Sequence, residues 1–142
     1  MAFEIDRTDV WVGSIEDRPG ALAGKLETLQ RSGANLGFVL VRPSDDIPGT
    51  GVLFVTPVQG PEQTKAAAEA GLKKSATMHV LRVVGPDRPG LGAFVSRTLA
   101  DAGLNVGGVS AAAVGGQAVF YLRFASDADA KRAAQVLTAK LG

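Results

Sequence analysis

The sequence contains no cysteine. That absence excludes disulfides, thiol catalysis and thiolate metal sites, and makes a reducing cytoplasm the expected compartment. Histidine occurs once, at His79, with no serine or carboxylate at a telling spacing, so it reads as a strand residue and not as a base or ligand. Charge of one sign is also lacking. Fifteen Lys and Arg stand against 14 Asp and Glu, a net charge of +1, and such a balance creates no field to gather nucleic acid or anionic lipid. No run of 18 apolar residues occurs, so no membrane span is expected. The opening Met1-Ala2-Phe3-Glu4-Ile5-Asp6 is acidic where a secretory signal needs positive charge, and no signal peptide is expected. No catalytic set, metal site or cofactor site emerges; Asp45-Asp46, two adjacent carboxylates without further oxygen ligands, read as solvated.

What the sequence does have is glycine, 18 in 142 residues, and an internal repeat that places many of them. Asp17-Arg18-Pro19-Gly20 returns 70 residues later as Asp87-Arg88-Pro89-Gly90. At that offset Ala23, Thr28, Leu29, Gly33, Asn35, Gly37 and Val39 match Ala93, Thr98, Leu99, Gly103, Asn105, Gly107 and Val109. Eleven of the 23 positions from Asp17 to Val39 are thus identical, where chance gives about one or two. The chain therefore divides into two repeats, residues 1–74 and 75–142. Units this small bury little core alone, which favours packing against a neighbour or a dimer.

Each repeat reads as strand, helix, two strands and helix. Short β-rich runs at Val10–Ile15 and Met78–Val84 lead into the Asp-Arg-Pro-Gly loops. Leu22, Leu26 and Leu29 form one apolar stripe of a helix, and Leu91, Val95 and Leu99 form the other. Pro19 and Pro89 suit a helix's first turn, and Gly33 and Gly103 suit its C-terminal end. Strands follow at Asn35–Val41 and Asn105–Val114, then at Val52–Val58 and Ala118–Phe124, with a tight hairpin turn at Gly115-Gly116. Second helices are expected over about Pro61–Lys74 and Asp127–Leu141, the latter capped by Ser126. The first repeat has room for a closing strand within Ser75–Val84, whereas nothing follows the last helix. The segment Ala2–Asp6 is therefore expected to close the second repeat's sheet in a permuted manner.

A strand, then Asp-Arg-Pro-Gly, then an amphipathic helix ending in Gly-x-Asn-aliphatic resembles the ACT domain, twice over, from about Val10 to Leu141. The run Val84-Gly85-Pro86-Asp87-Arg88-Pro89-Gly90-Leu91 is similar to the opening of ACT units in glycine-cleavage-type regulators, and the whole resembles a stand-alone tandem ACT protein. The resemblance implies an α+β fold of two ferredoxin-like βαββαβ-type repeats, with antiparallel sheets and helices on one face. It implies a homodimer or higher homo-oligomer that regulates without catalysing, with an amino acid bound at interfaces between units. By position, the implied ligand-binding residues are Asp17, Arg18, Pro19, Gly20, Ala21, Leu22, Asn35 and Leu36 in the first repeat. In the second they are Asp87, Arg88, Pro89, Gly90, Leu91, Gly92, Asn105 and Val106. Physically, unpaired amides at a helix N-terminus suit a carboxylate, and Asp and Asn side chains suit an ammonium and a polar group. The bland readings are that the aspartates cap helices, that Pro-Gly only turns the chain and that Gly-x-Asn is a C-cap. The second loop looks roomier, because Gly92 and Gly107-Gly108 lie near it.

A trans-acting regulatory subunit of an amino-acid biosynthetic enzyme is the alternative. Arg18 with Asn35 invites comparison with acylphosphatases, yet Pro19-Gly20 stands where that family has its phosphate cradle. RNA binding of the RRM kind needs exposed aromatics and basic residues on the sheet, which these strands do not show.

Overall fold

The structure, a computed structural model, describes residues 3–141; Met1, Ala2 and Gly142, at the ends of the expected repeats, lie outside the described residues. In chain order the elements are β1 (Glu4–Thr8), β2 (Trp11–Glu16), α1 (Ala21–Arg31), β3 (Phe38–Pro43), β4 (Thr50–Thr56), α2 (Gly60–Glu69), β5 (Lys73–Lys74), β6 (His79–Pro86), α3 (Leu91–Asp101), β7 (Gly108–Val114), β8 (Gln117–Phe124) and α4 (Asp127–Leu141). They form two compact units. One is Asp9–Ser75; the other joins the N-terminal segment through Thr8 to the chain from Ala76 onward. Each has a four-stranded sheet, ordered β3-β4-β2-β5 in the first and β1-β6-β8-β7 in the second, with every pairing antiparallel. This is the expected α+β arrangement.

The N-terminal strand closes the second unit's sheet. β1 pairs with β6 from Glu4↔Val84 to Thr8↔Val80, so the first residues of the chain belong with the second unit and not with the repeat they precede. Alternation explains the fit: Phe3 and Ile5 turn inward against the second core. Arg7, two residues on and so on the same face, donates from its guanidinium to the Asp127 carboxylate at 2.8 Å, at the start of α4. That hydrogen bond, aided by Lys131 one helical turn on, holds the Asp127 carboxyl below its usual value of 3.8. A depressed carboxyl stabilises the fold above its unfolded value, and that stability is lost as the pH falls through the lower folded value. Amide exchange in β1, corrected for intrinsic rates, is expected to accelerate on acidification below about pH 4. Asp127→Asn should remove that acid step; an unchanged profile would refute the link.

Local chemistry sets most element ends. The Gly115-Gly116 turn has φ of +58° and +82°, as a two-residue hairpin of the primed type requires. At the end of α1 the Gly33 amide donates to the Gln30 carbonyl and the Ala34 amide to the Leu29 carbonyl. Gly103 and Leu104 repeat this pair with Ala100 and Leu99 at the end of α3, a Schellman closure in which Leu104 also packs with Leu99. The Ser126 hydroxyl accepts the Asp129 amide at 3.1 Å and caps α4.

Two departures from expectation follow from the same chemistry. The second helix of the first unit stops at Glu69 rather than reaching Lys74, because Gly71 and Leu72 close it on Ala68 and Ala67 in another Schellman motif. The chain then returns as the two-residue β5 beside Trp11 and Val12, so the first unit's closing strand comes before Ser75 and is very short. The helical stripes also differ. In α3, Leu91, Val95 and Leu99 are all buried, at 2%, 1% and 0% exposure. In α1 only Leu29 is buried, and Leu22 is 37% exposed. The positions matching Leu91 and Val95 at the 70-residue offset are Ala21 and Lys25, so α1 presents a thinner apolar face to its sheet.

Candidate functional site

The Asp-Arg-Pro-Gly segments form the same turn in both units. The Ala21 amide donates to the Arg18 carbonyl and the Leu91 amide to the Arg88 carbonyl, each at 3.3 Å. Gly20 has φ +88° and ψ −16°, and Gly90 φ +81° and ψ 5°. A proline followed by a glycine at those angles, bridged from the first residue to the fourth, is a type II turn. Only glycine adopts that conformation without strain. Pro19 and Pro89 therefore lie in the turn, before each helix, and not in its first turn as expected.

The aspartates do not cap. The residue before each helix is Gly20 or Gly90, and no side chain caps either helix. Instead the Asp17 amide donates to the Gly49 carbonyl and the Asp87 amide to the Gly116 carbonyl, tying each loop to the neighbouring β-hairpin turn. Both carboxylates stay exposed. The helix N-termini are thus left without side-chain caps, and the positive end of a macrodipole lies beside each loop.

Side chains then set the two loops apart. In the first, Arg18 makes an ion pair with Glu16, and both side chains are more than half exposed. Such a pair contributes about 0–1 kcal/mol and is easily opened. Two hollows adjoin it. One, of about 260 Å³, is lined by Ser14, Ile15, Glu16, Arg18, Ala21, Lys25 and Thr50. The other, of about 150 Å³, adds Asp17 and Leu22 and reaches Val41, Arg42 and Pro43 at the end of β3. In the second loop the Arg88 guanidinium lies over the Phe94 ring, 5.0 Å from its centroid. Leu91 is buried in the core, and a Cβ on Gly92 would come within 3.9 Å of the Phe120 ring.

Within a unit the asparagines are not brought to these loops. β3 runs from the α1 end back toward the loop, with Phe38 beside Thr56 and Pro43 beside Gly51, while Glu16 pairs with Thr50. Six residues at about 3.3 Å each put Asn35 roughly 20 Å from Asp17. Asn105 stands likewise to Asp87, because β7 runs from Gly108 to Val114 toward Gln117. Leu36 and Val106 pack against the two cores. No single unit can therefore read one zwitterion with both its aspartate and its asparagine.

The geometry adds Ser14, Glu16, Lys25 and Thr50, which sequence reasoning missed. A signal was available in the repeat itself: Lys25 faces Val95 across the 70-residue offset, a charge where the twin has a core aliphatic.

A family model described as the ACT domain matches residues 77–141. The second unit belongs to the ACT domain family. The first unit, which the family model does not match, repeats its strand order, its type II turn and its Asp-Arg-Pro-Gly sequence. Among solved structures, a protein from Bacteroides thetaiotaomicron superposes with a TM-score of 0.77 at 18% identity, over 96% of this chain and 90% of that one. The ligand-free regulatory subunit of aspartate kinase from Thermus thermophilus gives 0.65 at 14% identity, over 99% and 97%. The regulatory subunit of aspartate kinase from Thermus flavus gives 0.55 at 18% identity, over 96% and 97%. At these identities the likeness establishes the shared fold. No curated protein sequence matches the chain.

Proposed function

We propose that this chain is an ACT tandem, a non-catalytic regulatory module that binds a small amino acid at ACT interfaces and acts as a homodimer or higher homo-oligomer in the cytoplasm. The observation that carries the reading is the first loop, where an uncapped helix N-terminus adjoins an openable Glu16–Arg18 pair with two hollows beside it. Backbone amides and a cation can receive a carboxylate there, and Glu16 or Asp17 an ammonium. Two structural relatives are regulatory subunits of aspartate kinase, which supports a regulatory role. Ligand binding would shift a population of assemblies or of partner contacts.

The edge strands support self-association. β3 exposes Val39, Leu40 and Val41 at 41–43%, and β7 exposes Val109 at 65% and Val114 at 79%. Each is the last strand of its sheet, and an apolar edge invites pairing. The same edges favour the second reading, a subunit that docks on a partner enzyme without a ligand of its own. A thermal-shift screen separates the two. A ligand at 100 times its Kd stabilises the native state by about 2.7 kcal/mol, so one amino acid of the twenty should raise Tm by several degrees. No shift with any of them at millimolar concentration would reject ligand sensing and leave the docking role.

A further inference from the structure

The two units differ most where the structure gives them the same backbone. Position by position at the 70-residue offset, four residues in the wall of the larger hollow have apolar counterparts in the second unit, while Arg18 recurs as Arg88. Ser14 corresponds to Val84, Glu16 to Pro86, Ala21 to Leu91 and Lys25 to Val95. Leu91 and Val95 are 2% and 1% exposed and lie in the second core, with Phe3 packed against the same cluster. The Phe3 ring sits on Gly85, so closely that a Cβ there would overlap it. The first unit has Ile15 in place of Gly85, and its closing strand β5 reaches only Trp11 and Val12. The region that Phe3, Leu91 and Val95 fill in one unit is thus open in the other, with Lys25 in its wall.

Lys25 is the telling residue. A lysine at a half-buried helix position whose twin is core valine costs desolvation unless its ammonium is satisfied. Its Nζ donates to the Ala70 carbonyl at 2.6 Å, at the C-terminal end of α2. An ammonium has three donors, so this bond leaves capacity for an anion, and Lys25 is one of the residues that line the hollow. Ser14, Glu16 and Thr50 of the adjoining strands also line the hollow. At about 30 Å³ per water-sized group, 260 Å³ suits a molecule with few heavy atoms.

The geometry points to one ligand site per chain, confined to the first unit, in which Lys25 receives the carboxylate of a small molecule and Glu16 its cationic or hydrogen-bond-donating end; the second unit's own side chains have closed the equivalent place. This rests on the sensing reading for the ligand's amino-acid character, but the site itself is defined by the hollow. It also reverses the expectation that the second loop is the roomier one.

The test is titration of the full ¹⁵N-labelled chain with each L-amino acid and, separately, with succinate, followed by amide shifts. The variants are Lys25→Met, which removes the charge, and Ala21→Leu, which adds the second unit's bulk without touching the Lys25–Ala70 bond. Expected is perturbation at Ser14–Lys25 and Thr50 but not at Asp87–Gly92, with affinity at least tenfold weaker in both variants. Retained dispersion in the variant spectra confirms folding. Perturbation centred on Asp87–Gly92, or undiminished binding in both variants, would overturn the single-site inference while leaving sensing intact. Binding of succinate alone at the first site would support the site and overturn its amino-acid ligand. No binding by either class would overturn both.

Discussion

Truncation of the chain before Asp9 is expected to destabilise the second unit and largely spare the sheet order of the first. Three losses coincide. β6 loses its partner along Glu4–Thr8 and becomes an edge. The second core loses Phe3 and Ile5, each worth up to about 1.5–3 kcal/mol when fully buried. Asp127 loses the guanidinium that holds its charge at the start of α4. The two apolar side chains, only partly buried, amount to roughly 2–5 kcal/mol, a large part of the 5–15 kcal/mol that a domain commonly has. Amide exchange in β8, which lies one strand inward from the new edge β6, should rise by about 30-fold or more, since about 1.4 kcal/mol is a factor of ten. Unchanged exchange in Gln117–Phe124 would show that the permuted strand is an ornament and not a structural member.

Leu99→Ala should cost about 2–5 kcal/mol, the range for deleting a buried leucine into a well-packed interior. Leu99 is 0% exposed, and its carbonyl accepts from Leu104 at the helix end. The cavity would lie between α3 and the sheet, where Leu104, also in that cluster, has little freedom to collapse. Leu22→Ala, by contrast, should change stability by less than about 1 kcal/mol, because Leu22 is 37% exposed. Urea unfolding of the two variants measures the contrast. Equal effects would mean that the apolar stripe of α1 is packed as tightly as that of α3, and would contradict the burial difference on which the hollow depends.

Features that depend on a few adjacent residues were readable in advance. Gly115-Gly116 permits one kind of turn between two strands. Gly33 and Gly103 end helices because the αL closure needs no Cβ, and Ser126 caps because its hydroxyl reaches the third amide. The repeat made the topology legible as well: it gave the strand–helix–strand order twice, and the missing last strand of one copy left the N-terminal segment as the candidate that proved correct. Pro19 and Pro89 were misplaced because a proline ahead of a helix suits either its first turn or the turn before it. The positive φ of Gly20 and Gly90 selects the latter.

The candidate site was legible only as a loop. Asp17 and Asn35 look adjacent in a motif, yet an intervening helix followed by a strand running back along the sheet sets them at opposite ends of the unit. Lys25 passed unnoticed because the leucines around it, Leu22, Leu26 and Leu29, make a plausible stripe by spacing alone. Whether a stripe is buried depends on what the sheet offers opposite.

By itself the sequence determined the duplication, the order of elements, the local turns and caps, and the permuted source of the eighth strand, since these follow from short-range sterics, hydrogen bonding and an internal comparison. Tertiary structure alone decided that β5 is too short to cover Ile15 and Glu16, that Phe3, Leu91 and Val95 fill the corresponding place in the twin unit, and that the two loops so alike in sequence are unlike in chemistry. The reason is that a hollow is a property of surfaces meeting from distant parts of the chain, and no local pattern records what fails to meet.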